Sequence, residues 1–266
     1  KGKFQTPTAC GYMYSHALAT LALCDAVSRT KDFELKKLAE LAVRYIVDAQ
    51  AANGSWGYVA KAPGDLTIVG WQLEALQSAN WAEIRFDKEK VFANAAKFLD
   101  AVSSDAGSAY GYSGPENPTS SLSAVGMLCR HYVGWSPGHL AFARYIENAK
   151  KAIPPPTGED GKKSQGTNRL PLDMYTCYYA AQVVRSCEGV NWHKFWNPRL
   201  RDFLIESMDR SGDPKKGGSW APDTGFIGAN CGRLGTTCFC LLTLEIYYRF
   251  LPQFKRDIEE FMEPSR

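Results

Sequence analysis

Apolar and charged positions along the chain sort into helical stretches of two kinds, and the two kinds alternate. In the first kind charge is nearly absent. Met13–Val27 carries only Asp25, Leu66–Ala79 only Glu74, Tyr175–Val184 none, and Thr236–Tyr248 only Glu245. In the second kind charge surrounds an apolar stripe: Glu34, Lys36, Lys37, Glu40, Arg44 and Asp48 flank Leu35, Leu38, Leu41, Ala42, Tyr45 and Ile46. Asp87–Val102 and Pro198–Met208 are of the same type. An amphipathic helix has one wet face, whereas a helix apolar on most sides is covered on most sides. The pattern predicts charge-poor helices near 13–28, 66–79, 119–133, 173–187 and 235–249. Their charged partners are expected near 33–51, 87–103, 138–151, 197–209 and 253–262.

Five helical hairpins follow, with charge-poor helices as an inner ring and charged ones as its outer jacket. The expected fold is therefore all-α, an α/α toroid. An open solenoid is built from the same hairpins, but it does not require its first helices to be so uniformly uncharged. The chain reads as a single domain over 1–266 with an irregular insertion near 153–172. Pro154-Pro155-Pro156 with Gly158, Gly161 and Gly166 precludes a helix there.

Three glycine-aromatic elements punctuate the hairpins: Gly54-Ser55-Trp56-Gly57-Tyr58, Ser108-Ala109-Tyr110-Gly111-Tyr112 and Gly217-Gly218-Ser219-Trp220. Trp56 and Tyr110 are 54 positions apart, and Tyr110 and Trp220 are 110 apart, close to twice that period. A fourth copy would fall near residue 165, inside the insertion. Gln50-Ala51-Ala52-Asn53-Gly54-Ser55-Trp56-Gly57 resembles the glutamine-tryptophan repeat of squalene and oxidosqualene cyclases. In that family the glutamine caps an outer helix and ties neighbouring hairpins together. The resemblance implies the terpenoid cyclase and protein prenyltransferase type of toroid, which the thioester domains of complement-like proteins also share. It is specific for fold and leaves the chemistry open.

Each chemistry of that family implies its own residues. Cyclases that begin by protonation open an inner helix with Asp-x-Asp-Asp-Thr, whose middle aspartate is the acid. Pro63-Gly64-Asp65-Leu66-Thr67 occupies that place, so Asp65 is the candidate catalytic acid, with Pro63 and Leu66 where the supporting aspartates stand. The competing role for Asp65 is an N-cap, the commonest use of an aspartate just before a helix. A zinc-dependent prenyltransferase reading takes Asp173 and Cys177 as ligands, but Thr236 stands at its histidine position, and two ligands make no tetrahedral site. Neither Cys10-Gly11 nor Cys231-Gly232 is followed by the glutamine that a thioester requires.

What remains is a rim. Tyr14 and His16, Asp65 and Trp71, and Asp173, Tyr175 and Tyr178 all lie toward the starts of charge-poor helices. Tyr14, His16, Trp71, Asp173, Tyr175 and Tyr178 are therefore the candidate ligand-binding residues of an aromatic mouth. The expected occupants are an apolar small molecule, a glycan or a protein partner, with no metal and no cofactor. The expected function is a toroid with eroded catalytic motifs. Isoprenoid cyclase and zinc-dependent prenyltransferase are its alternatives.

A formal net charge of +3, spread along the chain, argues against a nucleic-acid partner. No apolar run approaches the roughly 20 residues of a membrane span. The absence of an initiator methionine suggests a fragment, which leaves the compartment open. Eight cysteines without a CxxC pair read mainly as small buried apolar groups.

Overall fold

The computed structural model describes residues 12–152, 170–187 and 189–246, and these are mostly helical. They fall into two compact units, one comprising 12–118 with Tyr132–Trp135, the other Thr119–His131 with 136–246. Among the described residues no helix is long and apolar enough to cross a membrane. The helix expected at 253–262, and the repeat copy expected near 165, lie outside the described residues.

The first unit contains α1 (Tyr12–Thr30), α2 (Phe33–Ala49), α3 (Leu66–Trp81) and α4 (Lys88–Ala101). A short antiparallel pair, β1 (Ser103–Ser104) with β2 (Ala109–Tyr110), follows them. Sequence chemistry sets the helix starts: Asp32, Asp65 and Asp87 each cap the helix behind them by accepting backbone N–H groups. The charge-poor α3 is buried on nearly every side, Gln72, Glu74 and Ser78 included. In α2 and α4 only an apolar stripe is buried. α1 packs against both α2 and α3, and the buried Gln72 amide joins it to α3 by donating to the Met13 carbonyl at 2.9 Å. α1 is less covered than its composition predicts: Leu18 is 43% exposed.

The second unit contains α5 (Ser120–Tyr132) as far as His131, α6 (Leu140–Ala149), α7 (Met174–Cys187), a π-helical stretch (Asn191–Trp196), α8 (Asn197–Ser207) and α9 (Phe226–Glu245). α7 is buried like α3. α9 departs from expectation twice. It begins at Phe226 instead of near 235, and Gly232 interrupts it with φ 58° and ψ −152°. The early start has a clear cause, because buried Asp223 accepts the N–H groups of Gly225 and Gly228, both at 2.8 Å. Its exposure also differs from a shielded helix, since Leu234 is 76% exposed.

The glycine-aromatic elements do related jobs. The fully buried Trp56 indole donates to the Ile46 carbonyl in the last turn of α2 at 2.8 Å. The Trp220 indole does the same to Leu204 of α8 at 2.7 Å. Each ring thus satisfies a carbonyl that a helix end leaves open. Gln50 donates to Gly54 and to Val91 of α4, both at 3.0 Å, fastening the end of α2 to the start of α4.

Candidate functional site

In the first unit, four short segments meet at the N-terminal ends of α1 and α3. α1 supplies Tyr12, Tyr14 and His16. The loop before α3 supplies Tyr58 and Ala60, α3 itself supplies Asp65 and Thr67, and Tyr112 comes from the segment after β2. Tyr112 is pinned there by its backbone, since its carbonyl accepts the Leu66 N–H at 2.9 Å.

Asp65 is 3% exposed and its Oδ1 is heavily used. It accepts the backbone N–H groups of Thr67 at 2.9 Å and Ile68 at 3.3 Å. It also accepts the Thr67 hydroxyl, and that hydroxyl is bonded in turn to the Tyr14 hydroxyl. The Tyr112 hydroxyl is hydrogen-bonded to the Tyr58 hydroxyl at 3.0 Å, within the electrostatic reach of the Asp65 carboxylate. The Tyr14 and Tyr58 rings meet edge to face at 5.9 Å. Burial, reinforced by the Asp65 charge, pushes the Tyr14 phenol far above its usual range, even though its Thr67 bond acts the other way. Burial does the same to Tyr112, with its Tyr58 bond and the Asp65 carboxylate adding to it. Both phenols therefore stay neutral and keep their protons for donation at ordinary pH. The result is a carboxylate encircled by donors, topped by two rings left about half open to solvent: Tyr58 is 47% exposed and Tyr112 45%.

The neighbouring predicted residues His16 and Trp71 are buried. His16 is fully buried and its Nε2 lies 3.0 Å from the Ala42 carbonyl, so that nitrogen donates to α2. Its ring packs 4.8 Å from Tyr45. Tyr45, whose phenol burial pushes up to about 12, donates to the Tyr12 hydroxyl at 3.0 Å. Tyr12 also accepts the Ala60 N–H at 2.9 Å. Trp71 is 5% exposed, within the packed body of α3.

In the second unit Asp173 caps α7 in the way Asp65 caps α3. Its Oδ1 accepts from Tyr175 N–H at 3.1 Å and Thr176 N–H at 3.4 Å. Its Oδ2 accepts from the hydroxyls of Thr176 at 2.7 Å and Ser121 at 3.0 Å. Tyr178 is fully buried, edge to face with Phe239 at 5.6 Å and with Tyr179 at 5.2 Å. Tyr175 packs on Tyr179 and Phe239.

Sequence reasoning missed Asp223, which is fully buried and whose Oδ2 accepts the Met174 N–H at 3.2 Å, joining the starts of α7 and α9. Its signal was the Asp-Thr-Gly triplet just before Phe226. Thr236, at the proposed histidine position, accepts the Asp223 N–H at 3.0 Å. Among the described residues no group of three His, Cys, Asp or Glu side chains is placed to hold a metal ion.

Burial pushes the Cys177 thiol up to about 12, with the charges of Asp173 and Asp223 adding to it, and burial raises Cys24 to about 12 as well. At pH 8 a thiol of that acidity is thiolate in about one molecule in ten thousand. Among the described cysteines, brief iodoacetamide treatment at pH 8 is therefore expected to label the exposed Cys231 and Cys238. Cys24 and Cys177 should be labelled only after denaturation, as read by peptide mass spectrometry. Because burial holds both folded-state values above the ordinary thiol range, the unfolded chain loses those protons first. Their contribution to stability is complete below about pH 9 and declines as the pH climbs toward 12.

No protein-family model matches the chain, and no curated protein matches it.

Proposed function

We propose that this chain is a toroid of the terpenoid cyclase and prenyltransferase type, one domain of five hairpins, which binds a ligand instead of converting it. The ligand class is a neutral, hydroxyl-rich molecule, an oligosaccharide, lying against Tyr58 and Tyr112. One observation carries this reading: two half-exposed tyrosine rings are bonded hydroxyl to hydroxyl beside Tyr14, whose own hydroxyl connects through Thr67 to the buried Asp65 carboxylate. Tyrosine offers an apolar ring face and a polar tip at low entropic cost, which suits the mixed surface of a sugar. Asp65 serves the site from below. Its Oδ1 is occupied by two backbone N–H groups and a hydroxyl, so it holds α3 and orients its donors.

The toroid assignment is supported by the alternation of helix types around α3 and α7. It is supported too by the matched indole anchors of Trp56 and Trp220.

Calorimetric titration with cellohexaose and chitohexaose tests the reading. At least one sugar should bind. Tyr58→Ala and Tyr112→Ala should each weaken it by about 5- to 30-fold, the loss of one aromatic contact of about 1–2 kcal/mol. Asp65→Asn should leave the helix content unchanged, because asparagine caps as well as aspartate. Absence of binding to both sugars, or affinity indifferent to both tyrosine variants, would remove the proposal. The cyclase alternative rests on the burial of Asp65 beside aromatic rings. It requires polyprenyl turnover that Asp65→Asn abolishes.

A further inference from the structure

The first unit has a second concave feature, separate from the tyrosine cluster. A cavity of about 610 Å³ lies between α2 and the Glu83–Asp87 loop that leads into α4. That volume falls within the range of small-molecule sites, roughly 300–1,000 Å³. Its walls carry both charges: Lys36, Arg44 and Arg85 are cationic, Glu40, Glu83 and Asp87 anionic. Opposite charges share one concave surface, yet none of the six forms an ion pair with another side chain among the described residues. Asp87 is engaged only with the backbone, capping α4 through the Lys90 N–H at 3.2 Å. Two of its lining residues are apolar. Val47 and Phe86 are half-buried there, and the Phe86 ring is fixed edge to face against Phe92 of α4 at 6.1 Å.

One acidic wall residue is held at a cost. α3 ends in a Schellman motif, in which the Glu83 N–H bonds the Asn80 carbonyl at 3.2 Å and the Ile84 N–H bonds the Ala79 carbonyl at 2.9 Å. That motif puts its turning residue in the left-handed region, where glycine is the usual occupant. Here the residue is glutamate, with φ 56°. A side chain kept at a strained position suggests a role for the side chain.

We infer that this cavity binds a zwitterion with an apolar side chain, of the free amino acid or short peptide class. The three cations receive its carboxylate, the carboxylates of Glu40 and Glu83 receive its ammonium, and Val47 with Phe86 takes its apolar group. The balance of charge decides the class. A polyanion meets three carboxylates and a polycation meets three cations, whereas a molecule carrying both charges finds a partner for each.

The dipeptide Leu-Phe serves as the probe, compared with N-acetyl-Leu-Phe and Leu-Phe-amide by calorimetric titration of the intact chain. Leu-Phe should bind one to one, and each blocked form should bind about tenfold or more weakly, the loss of one charge-assisted contact. Arg85→Gln should weaken Leu-Phe about tenfold while leaving the already weak amide unchanged. Glu83→Gly should raise the melting temperature and lower the affinity together, a combination that a purely structural residue would not give. If Leu-Phe fails to bind, if the blocked forms bind as tightly, or if Arg85→Gln is without effect on it, the inference is wrong. None of these outcomes bears on the tyrosine site, whose ligand and residues are different.

Discussion

Trp56→Ala is expected to destabilise the protein by about 3–5 kcal/mol, the usual cost of removing a fully buried tryptophan. Trp56 is 0% exposed and lies between the end of α2 and the loop that delivers Tyr58 to the site. Truncation leaves a cavity and also orphans the Ile46 carbonyl, which the indole N–H now satisfies at 2.8 Å. Trp56→Phe separates the two losses. It keeps most of the volume and should cost only about 1–3 kcal/mol, the penalty of an unpaired buried acceptor. Urea denaturation followed by circular dichroism would measure both. The larger variant should also disturb the tyrosine cluster, because Ser55, one residue away, accepts the Gly64 N–H at 2.9 Å just before Asp65.

Gly54→Ala is the second large effect. Gly54 has φ +85°, and a Cβ there would stand 1.9 Å from the Asn94 carbonyl oxygen of α4. Relief requires backbone movement, because the obstacle is main chain held within a helix. The left-handed conformation alone costs a non-glycine residue about 1–2 kcal/mol. Together with the clash, a loss of about 2–4 kcal/mol is expected. The same movement should strain the two bonds that Gln50 makes, to Gly54 and Val91. Hydrogen exchange should report this specifically, with faster exchange in the first turns of α4 and little change in α7.

How much of this was legible in the sequence differs by element. The α3 and α7 helices were readable because burial on nearly all sides tolerates almost no charge, and a charge-free run of that length is conspicuous. The cap at Asp65 was readable for a local reason: the aspartate stands just before an apolar run. The start of α9 was not readable. Gly228, Gly232 and Gly235 look like helix breakers, and only the two N–H groups accepted by Asp223 show why the helix begins earlier.

The site was half legible. Tyr14 and Asp65 were singled out, and the structure brings them together through Thr67. Tyr58 and Tyr112 were visible only as members of the repeat. Their separation of 54 positions equals that of Trp56 and Tyr110. Equivalent places in successive repeats thus end up hydroxyl to hydroxyl, a relation that periodicity contained but that composition could not reveal. His16, Trp71 and Tyr178 are buried, and polar-tipped aromatics near a helix start read alike whether they face a cavity or a core. Burial separates the two cases, and burial depends on packing that no local pattern encodes.

The central claim is that the tyrosine pair above Asp65 is a ligand-binding surface. The most direct test is an NMR titration of protein carrying ring-labelled tyrosine with cellohexaose and chitohexaose. The account predicts saturable shifts of the Tyr58 and Tyr112 ring signals with at least one sugar, while Tyr145, only 4% exposed in the second unit, does not move. Unchanged Tyr58 and Tyr112 signals at saturating sugar, or shifts of equal size at Tyr145, would contradict it.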